Sequence, residues 1–311
     1  IARIKVLSGL MKLDVNNRPQ DGKISMTVDK KKYVFRLITL PTTQGESLSI
    51  QIVNEDLISL SIEDMFNNDL DLIEIFKRNI TKHDGMILFT GLAGSGKVTI
   101  ANSVLEYISD IGKKTVTIEN PVEKRITNAE QMWVSTNIGC TSEVLTKVAL
   151  RGDADIIYIS ELRDYDTALL AFEGAMQGHM IFSTMHTNNA VDALFRCTQM
   201  GIKEYLSGSV LQFILNSKLA KRICQHCKEE MDHNKNSLKA IGLTDDEIKN
   251  SKFFKGKGCK KCDNTGYAGR VAIMEMLEFT PEIREAFING ADNKEIIKLS
   301  RKEGVYHTHK D

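Results

Sequence analysis

Net charge is the first thing this sequence lacks. Lysine plus arginine and aspartate plus glutamate both total 41, so no global basic excess argues for a nucleic-acid partner, although local patches stay open. Long apolar runs are missing too, and none approaches the ~18 residues a membrane span needs. Proline is scarce, at four residues, and hydrophobic residues make up 42%, the balance of an ordinary globular protein. A disulfide framework is also absent. Of six cysteines, Cys140 and Cys197 stand alone and the other four form two C-x-x-C pairs, a pattern of metal binding in a reducing compartment. At 311 residues the chain is long enough for two or three domains with a full core. It opens at Ile1 instead of Met, which leaves room for an upstream domain or targeting segment.

What is present is organised around Gly91-Leu92-Ala93-Gly94-Ser95-Gly96-Lys97-Val98-Thr99. The apolar run 86–89 before it reads as a buried strand. The stretch 100–111 after it has helical apolar spacing (Val104, Leu105, Ile108, Ile111), with a stop expected at Gly112. Strand, glycine-rich turn and helix are the context of a phosphate-binding loop. Gly91, Gly94 and Gly96 let successive N–H groups point at phosphate oxygens, and the helix N-terminus adds partial positive charge. Lys97 reaches the β- and γ-phosphates in such a loop. The next position should carry a hydroxyl for Mg²⁺, and here it is Val98. Thr99 is rotated by about 100° on the helix and does not simply substitute. The residues point to a nucleotide site with a weakened metal position.

Residues 1–53 read as the end of a small α/β domain. Strands are expected at 24–28, 33–38 and 48–53 from their period-two alternation. Lys30-Lys31-Lys32 is expected to be a solvated hairpin tip. Residues 54–62 serve as a linker, and 62–77 as one or two amphipathic helices. From 85 onward strands and helices alternate, which implies a parallel α/β sheet. The strand 114–118 ends in Glu119-Asn120-Pro121-Val122-Glu123, where acids can face a nucleotide. Asp155 to Glu161 is a buried strand closed by a carboxylate that holds Mg²⁺ indirectly or polarises the attacking water. After it, Arg163 and Asp164 are expected to pair. His179 and His186 bracket another strand. On spacing alone, γ-phosphate sensing and ordinary satisfied histidines are both open.

Cys224-Gln225-His226-Cys227 and Cys259-Lys260-Lys261-Cys262 give two knuckles for one closed Cys₄ zinc site, structural rather than redox. About 30 residues separate them, longer than in compact zinc ribbons, so a helix at 236–241 or 244–249 is expected to loop out. His226 should be exposed. From Pro281 the tail reads as helices, with Thr280 as a cap.

Taken together, these segments resemble the secretion-superfamily traffic ATPases, closest to the assembly motors of type IV pili and type II secretion systems. The resemblance covers nearly the whole chain. It includes Arg18-Pro19-Gln20-Asp21-Gly22, Phe35-Arg36, Leu40-Pro41-Thr42 and Gly45-Glu46. The phosphate loop, 117–123 (aspartate box), 151–167 (Walker B region), 178–189 (histidine box), the tetracysteine and 265–270 follow. The tetracysteine favours an assembly motor over a retraction motor. The implied fold is α/β: a RecA-like P-loop NTPase core with a smaller N-terminal PAS-like α/β domain and an inserted Cys₄ zinc subdomain. The implied division is 1–57 and 58–311, with the zinc subdomain at about 223–272 and helices at the C-terminus. An N-terminal platform-binding domain is typical of the family.

The resemblance implies a cytoplasmic homohexamer that turns hydrolysis of ATP with Mg²⁺ into motion of one domain against the other. That motion acts on an inner-membrane platform protein, so the ring sits peripherally at the membrane and takes no direct nucleic-acid partner. Carried over by position, Gly91, Gly94, Ser95, Gly96, Lys97, Val98 and Thr99 hold phosphates, Glu161 is the Walker B glutamate and Glu119 the aspartate-box glutamate. Glu123 is a further acid, and His179 and His186 are the box histidines. Arg3, Arg18 and Arg36 belong to the part whose arginines reach a nucleotide of the same or a neighbouring subunit. Several positions depart from the family pattern: Val98 for threonine, Asn120 for aspartate, Ser160 for glycine, Gln51 for arginine, and Ser217-Lys218 for Gln-Arg. Retained Lys97, Glu161 and Glu119 favour a motor of low or unusual turnover. The departures favour a catalytically impaired nucleotide-binding or regulatory subunit. A type II secretion or DNA-uptake motor is a third reading, because one fold serves all of these.

Overall fold

The computed structural model describes residues 1–311 except 10, 14, 30, 55–59, 68, 110–111, 232–234, 241–243 and 309–311. A short helix, α1 (Ala2–Ser8), lies against an antiparallel sheet of β1 (Gln20–Val28), β2 (Lys31–Thr42) and β3 (Gly45–Asn54). Gly22 permits the approach: a Cβ there would meet Ser8 Cβ at 3.0 Å. Lys5 of α1 is buried, and its charge is matched by Glu46 at 2.5 Å and by Val15 O and Asn16 Oδ1. Val28 pairs with Lys31, and Asp29, just after β1, lies at φ 49°. The expected three-lysine tip is corrected for Lys31 and Lys32, which belong to β2, and Lys30 lies outside the described residues. Most of the expected linker falls on residues outside those described.

The larger part begins with α2 (Ile62–Met65), α3 (Leu70–Ile80), β4 (Gly85–Thr90), α4 (Lys97–Ser109), β5 (Thr115–Glu119) and β6 (Ala129–Trp133). It continues with α5 (Ser142–Arg151), β7 (Ile156–Ile159), α6 (Tyr165–Met176), β8 (Met180–Met185), α7 (Asp192–Gln199), α8 (Glu204–Val210) and β9 (Leu211–Ile223). An insertion holds β10 (Lys228–Glu230), α9 (Lys235–Ala240), α10 (Asp245–Asn250) and β11 (Phe254–Gly256). The chain closes with β12 (Tyr267–Glu278), α11 (Pro281–Ile288), α12 (Asn293–Lys302) and β13 (Tyr306–Thr308). Thr280 caps α11 by accepting from the Ile283 N–H, with Pro281 in the first turn. Among the described residues, no helix is long and apolar enough to cross a membrane.

One eight-stranded sheet, ordered β13-β12-β9-β4-β8-β7-β5-β6, organises this part. The six strands from β9 to β6 are parallel, and β12 and β13 add antiparallel edges. The all-parallel expectation is corrected by these two. β9 escaped detection because Leu211 to Leu215 continues straight from the helical stretch before it, and an apolar run has no distinguishing period.

Alternation along the central strands builds two cores. Met86, Leu88, Ile157, Ile159 and Ile181 face α5, α6, α7, α8, α11 and α12. Ile87, Phe89, Ile156, Tyr158 and Phe182 face α2, α3 and α4. Both faces are covered, so the strands are apolar throughout, as parallel sheets require. The loops after β4, β5, β7 and β8 all emerge at the carboxyl end of the sheet, where open α/β folds hold ligands.

Candidate functional site

The loop from Gly91 to Gly96 joins β4 to α4 through backbone only glycine adopts readily. Gly91, Gly94 and Gly96 lie at φ 143°, 75° and 95°. At Gly91 space is the second constraint: a Cβ would sit 2.4 Å from both Ser217 O and Ser95 Oγ. Helix α4 starts at Lys97, so its first N–H groups and its partial positive charge face the loop. Ser95 Oγ is buried and has no partner among the described residues. Ser217 donates from β9 to Ser95 O at 3.0 Å and pins the loop.

Lys97 is 7% exposed and folds back onto its own loop, donating to Gly91 O at 2.7 Å and Leu92 O at 2.8 Å. Burial pushes its ammonium below the ordinary lysine range, partly opposed by Glu161. His186, just beyond β8, bridges Lys97 and Glu161. Its Nδ1 lies 3.3 Å from Lys97 Nζ and its Nε2 lies 3.1 Å from Glu161 Oε1. Lysine only donates and a carboxylate only accepts, so these partners assign the ring proton to Nε2. Glu161 also takes Arg163, at 2.8 Å through Nε and 2.7 Å through Nη2. The expected Arg163–Asp164 pair is therefore corrected. Asp164 instead caps α6, accepting from Thr167 N at 2.8 Å and Thr167 Oγ1 at 3.1 Å.

A cavity of about 340 Å³ opens in front of this array. Lys97, Val98, Glu119, Asn120, Glu123, Ser160, Glu161, His186 and Arg36 line it. Arg36 comes from β2 of the N-terminal sheet and ion-pairs with Glu123. Glu119 is 2% exposed and accepts from Thr117 Oγ1 at 2.6 Å and Gln131 Nε2 at 2.9 Å. Burial raises its carboxyl above the usual range, against those two hydrogen bonds. Thr99 turns away into a second cavity of about 490 Å³ on the other side of the loop. Leu60, Asp64, Met65, Ser95, Leu219, Arg222 and Arg270 share it.

Other candidate residues are not brought here. His179 precedes β8, so the strand of six residues puts it ~20 Å from His186, and its Nδ1 meets Ala154 O at 2.7 Å. Arg3 and Arg18 are exposed on the N-terminal part and line neither cavity. Sequence reasoning missed Arg163 as the partner of Glu161, Ser160 as a lining residue, and Arg222 and Arg270 beside the loop. Spacing held no signal for the last two, which arrive on β9 and β12.

The four cysteines converge. Cys224, Cys227, Cys259 and Cys262 place their Sγ atoms within 4.8 Å of one another. Individual separations are 3.9 Å (224–259), 3.9 Å (227–262) and 3.8 Å (259–262). A tetrahedron with Zn–S of about 2.3 Å has edges of about 3.8 Å, so the donor set fits zinc. His226 is exposed.

The description "Type II/IV secretion system protein" matches residues 1–311. The chain is similar to the type IV pilus assembly ATPase PilB of Thermus thermophilus, 36% identical over 305 residues, covering 98% of this chain and 34% of that protein. PilB of Pseudomonas aeruginosa is 35% identical, with 97% and 53% covered. Type II secretion system protein E of the same organism is 29% identical, with 98% and 60% covered. The chain thus spans between about a third and three fifths of these relatives' lengths. Among solved structures, the pilus retraction motor PilT with bound ADP superposes with a TM-score of 0.63 at 21% identity, covering 93% of this chain and 71% of that one. The ATPase DotB of Yersinia pseudotuberculosis gives 0.66 at 20%, with 98% and 75% covered. These two likenesses concern the fold. With the whole sequence matched, the chain belongs to the type II/IV secretion system protein family.

Proposed function

We propose that this chain is the nucleotide-hydrolysing part of a hexameric motor that powers type IV pilus assembly, working on the cytoplasmic side of the inner membrane against a platform protein. The observation that carries the reading is the hydrogen-bonded array Lys97–His186–Glu161 at the mouth of the glycine loop. The names of the PilB relatives support the pilus assignment over secretion. Division at about residue 57 into a PAS-like domain and a RecA-like domain is part of the proposal. So is a structural role for zinc at the four cysteines.

In this reading the triphosphate enters the polar cavity and the base occupies the larger, more apolar one across the loop. Phosphate oxygens replace Gly91 O and Leu92 O as the partners of Lys97. That exchange improves on neutral carbonyls, because a charge-assisted bond to an anion is stronger. Glu161 takes the proton of the attacking water, with His186 and Arg163 fixing its orientation. Arg36 stabilises charge on the transferred group from the N-terminal domain, held ready by Glu123. The cavity's oxygen donors, Glu161, Glu123, Asn120 and Ser160, suit a hard cation. Magnesium bound there supplies charge neutralisation on the phosphates. Arg3 and Arg18 would then serve the site of a neighbouring subunit.

The test is steady-state ATP hydrolysis with magnesium, alongside nucleotide affinity, for the unmodified chain, Glu161→Gln and Lys97→Ala. Glu161→Gln should lower turnover by about 10²–10⁴-fold with affinity kept, and Lys97→Ala should lose affinity. Equal turnover in Glu161→Gln would end the reading. Val98, facing the cavity without a hydroxyl, favours a second reading, an impaired subunit regulating an active paralogue. Nucleotide binding without turnover at high magnesium is its signature.

A further inference from the structure

We infer that Ser160 supplies the metal-facing oxygen that position 98 lacks. The inference rests on the nucleotide reading of the polar cavity and concerns residues of this chain alone. A phosphate loop ordinarily presents a Ser or Thr hydroxyl right after its lysine. Val98 occupies that place, 38% exposed, and lines the cavity with methyl groups. Thr99 offers no remedy, because its side chain belongs to the cavity on the other side of the loop.

Ser160 lines the same cavity as Val98, just past the carboxyl end of β7 and directly before Glu161. Its backbone is fixed on both sides. Its N–H donates to Ile118 O in β5 at 2.9 Å, and its C=O accepts from Thr184 Oγ1 in β8 at 2.5 Å. Among the described residues its hydroxyl has no hydrogen-bond partner. The neighbouring hydroxyl of Thr184 is spent on Ser160 O. Asn120, which also lines the cavity, adds a neutral oxygen where an acid is expected.

Two departures from the family pattern thus compensate each other. Threonine and glycine are expected at 98 and 160, and the chain has valine and serine. The number of hydroxyls facing the cavity is kept, and the oxygen has moved from the loop to the strand beside Glu161. A hard divalent cation needs oxygen donors and accepts an alcohol. Glycine at 160 would offer none. Ser160 is therefore an oxygen donor toward the metal that accompanies the nucleotide.

The experiment measures affinity for a fluorescent, non-hydrolysable ATP analogue with and without magnesium, on the full chain. Variants are Ser160→Gly, Val98→Thr and the two combined, with Ser160→Ala as a second deletion of the hydroxyl should the glycine disturb folding. Ser160→Gly should lose about 10–100-fold of the magnesium-dependent gain in affinity and keep its magnesium-free affinity. Adding Val98→Thr should restore the gain. An unchanged magnesium-dependent gain in both Ser160 variants overturns the inference, as does the lack of any such gain in the unmodified chain. Failure of the unmodified chain to bind the analogue at all would instead remove the nucleotide reading beneath it.

Discussion

Taking the metal from the cysteine cluster should unfold the insertion between β9 and β12 and leave the large sheet folded. Between Cys224 and Cys262, Ile248 is the only buried apolar side chain besides cysteines among the described residues. Its burial is worth about 1.5–3 kcal/mol. A zinc ion on four thiolates would contribute about 10–16 kcal/mol near neutral pH, enough to decide whether this segment is ordered. The local backbone pairing is slight, since β10 and β11 share three residue pairs. Gly256 and Gly266 stack backbone on backbone, and a Cβ on Gly256 would come 1.9 Å from Gly266 O. That contact holds only while the two knuckles are drawn together. β9 and β12, in contrast, are paired from Ile223–Tyr267 down to Phe213–Glu278 and anchored in both cores. The perturbation is chelation of zinc-loaded protein, repeated with Cys259→Ser. The assay is hydrogen exchange read by mass spectrometry, with metal content measured on the same samples. The expected result is about one zinc per chain at the start. On its loss, protection of amides such as Met231 N and Lys257 N should disappear while β4, β7 and β8 keep theirs. Full protection of the insertion in protein shown to be metal-free would refute the reasoning.

Two further outcomes follow from the phosphate-loop side of the sheet. Gly91→Ala should cost about 1–3 kcal/mol of stability, because its Cβ collides with Ser217 O and Ser95 Oγ and the backbone sits at φ 143°; urea unfolding checks this, and an unchanged midpoint would contradict it. Glu119→Gln tests burial of a carboxylate. The folded carboxyl titrates above its unfolded value of ~4.3, so its contribution is complete below that pH and is lost as pH rises through the folded value. Glutamine keeps the neutral form, and the variant's stability relative to the parent should therefore grow as pH rises above the unfolded value of ~4.3. A gap that does not change with pH would show that the carboxylate ionises there without penalty.

The glycine loop was legible in the sequence because its geometry is local. Positive φ, close backbone approach and a helix start all fall within nine consecutive residues, and each demands a particular residue type. The same holds for the caps at Thr280 and for the period of the central strands. The two C-x-x-C knuckles were legible in the same way, each pair sharing one turn, and their Sγ atoms converge. Arg163 was misassigned for the opposite reason. Adjacent residues on a loop can pair in several ways, and Glu161 prevails because β7 ends pointing it at both Arg163 and His186.

Sequence by itself determined the local chemistry: a glycine loop, an acid closing a buried strand, and four thiolates ready to bind one ion. Tertiary structure decided which of these groups share a space. The strand order carries Glu119, Glu161 and His186 from the carboxyl ends of three strands to one cavity and leaves His179 at the far end of β8. It puts Val98 and Ser160 in the lining of one cavity and Thr99 in that of another. Such contacts link residues tens of positions apart through sheet order and strand direction, and a periodicity that spans one element carries no record of either.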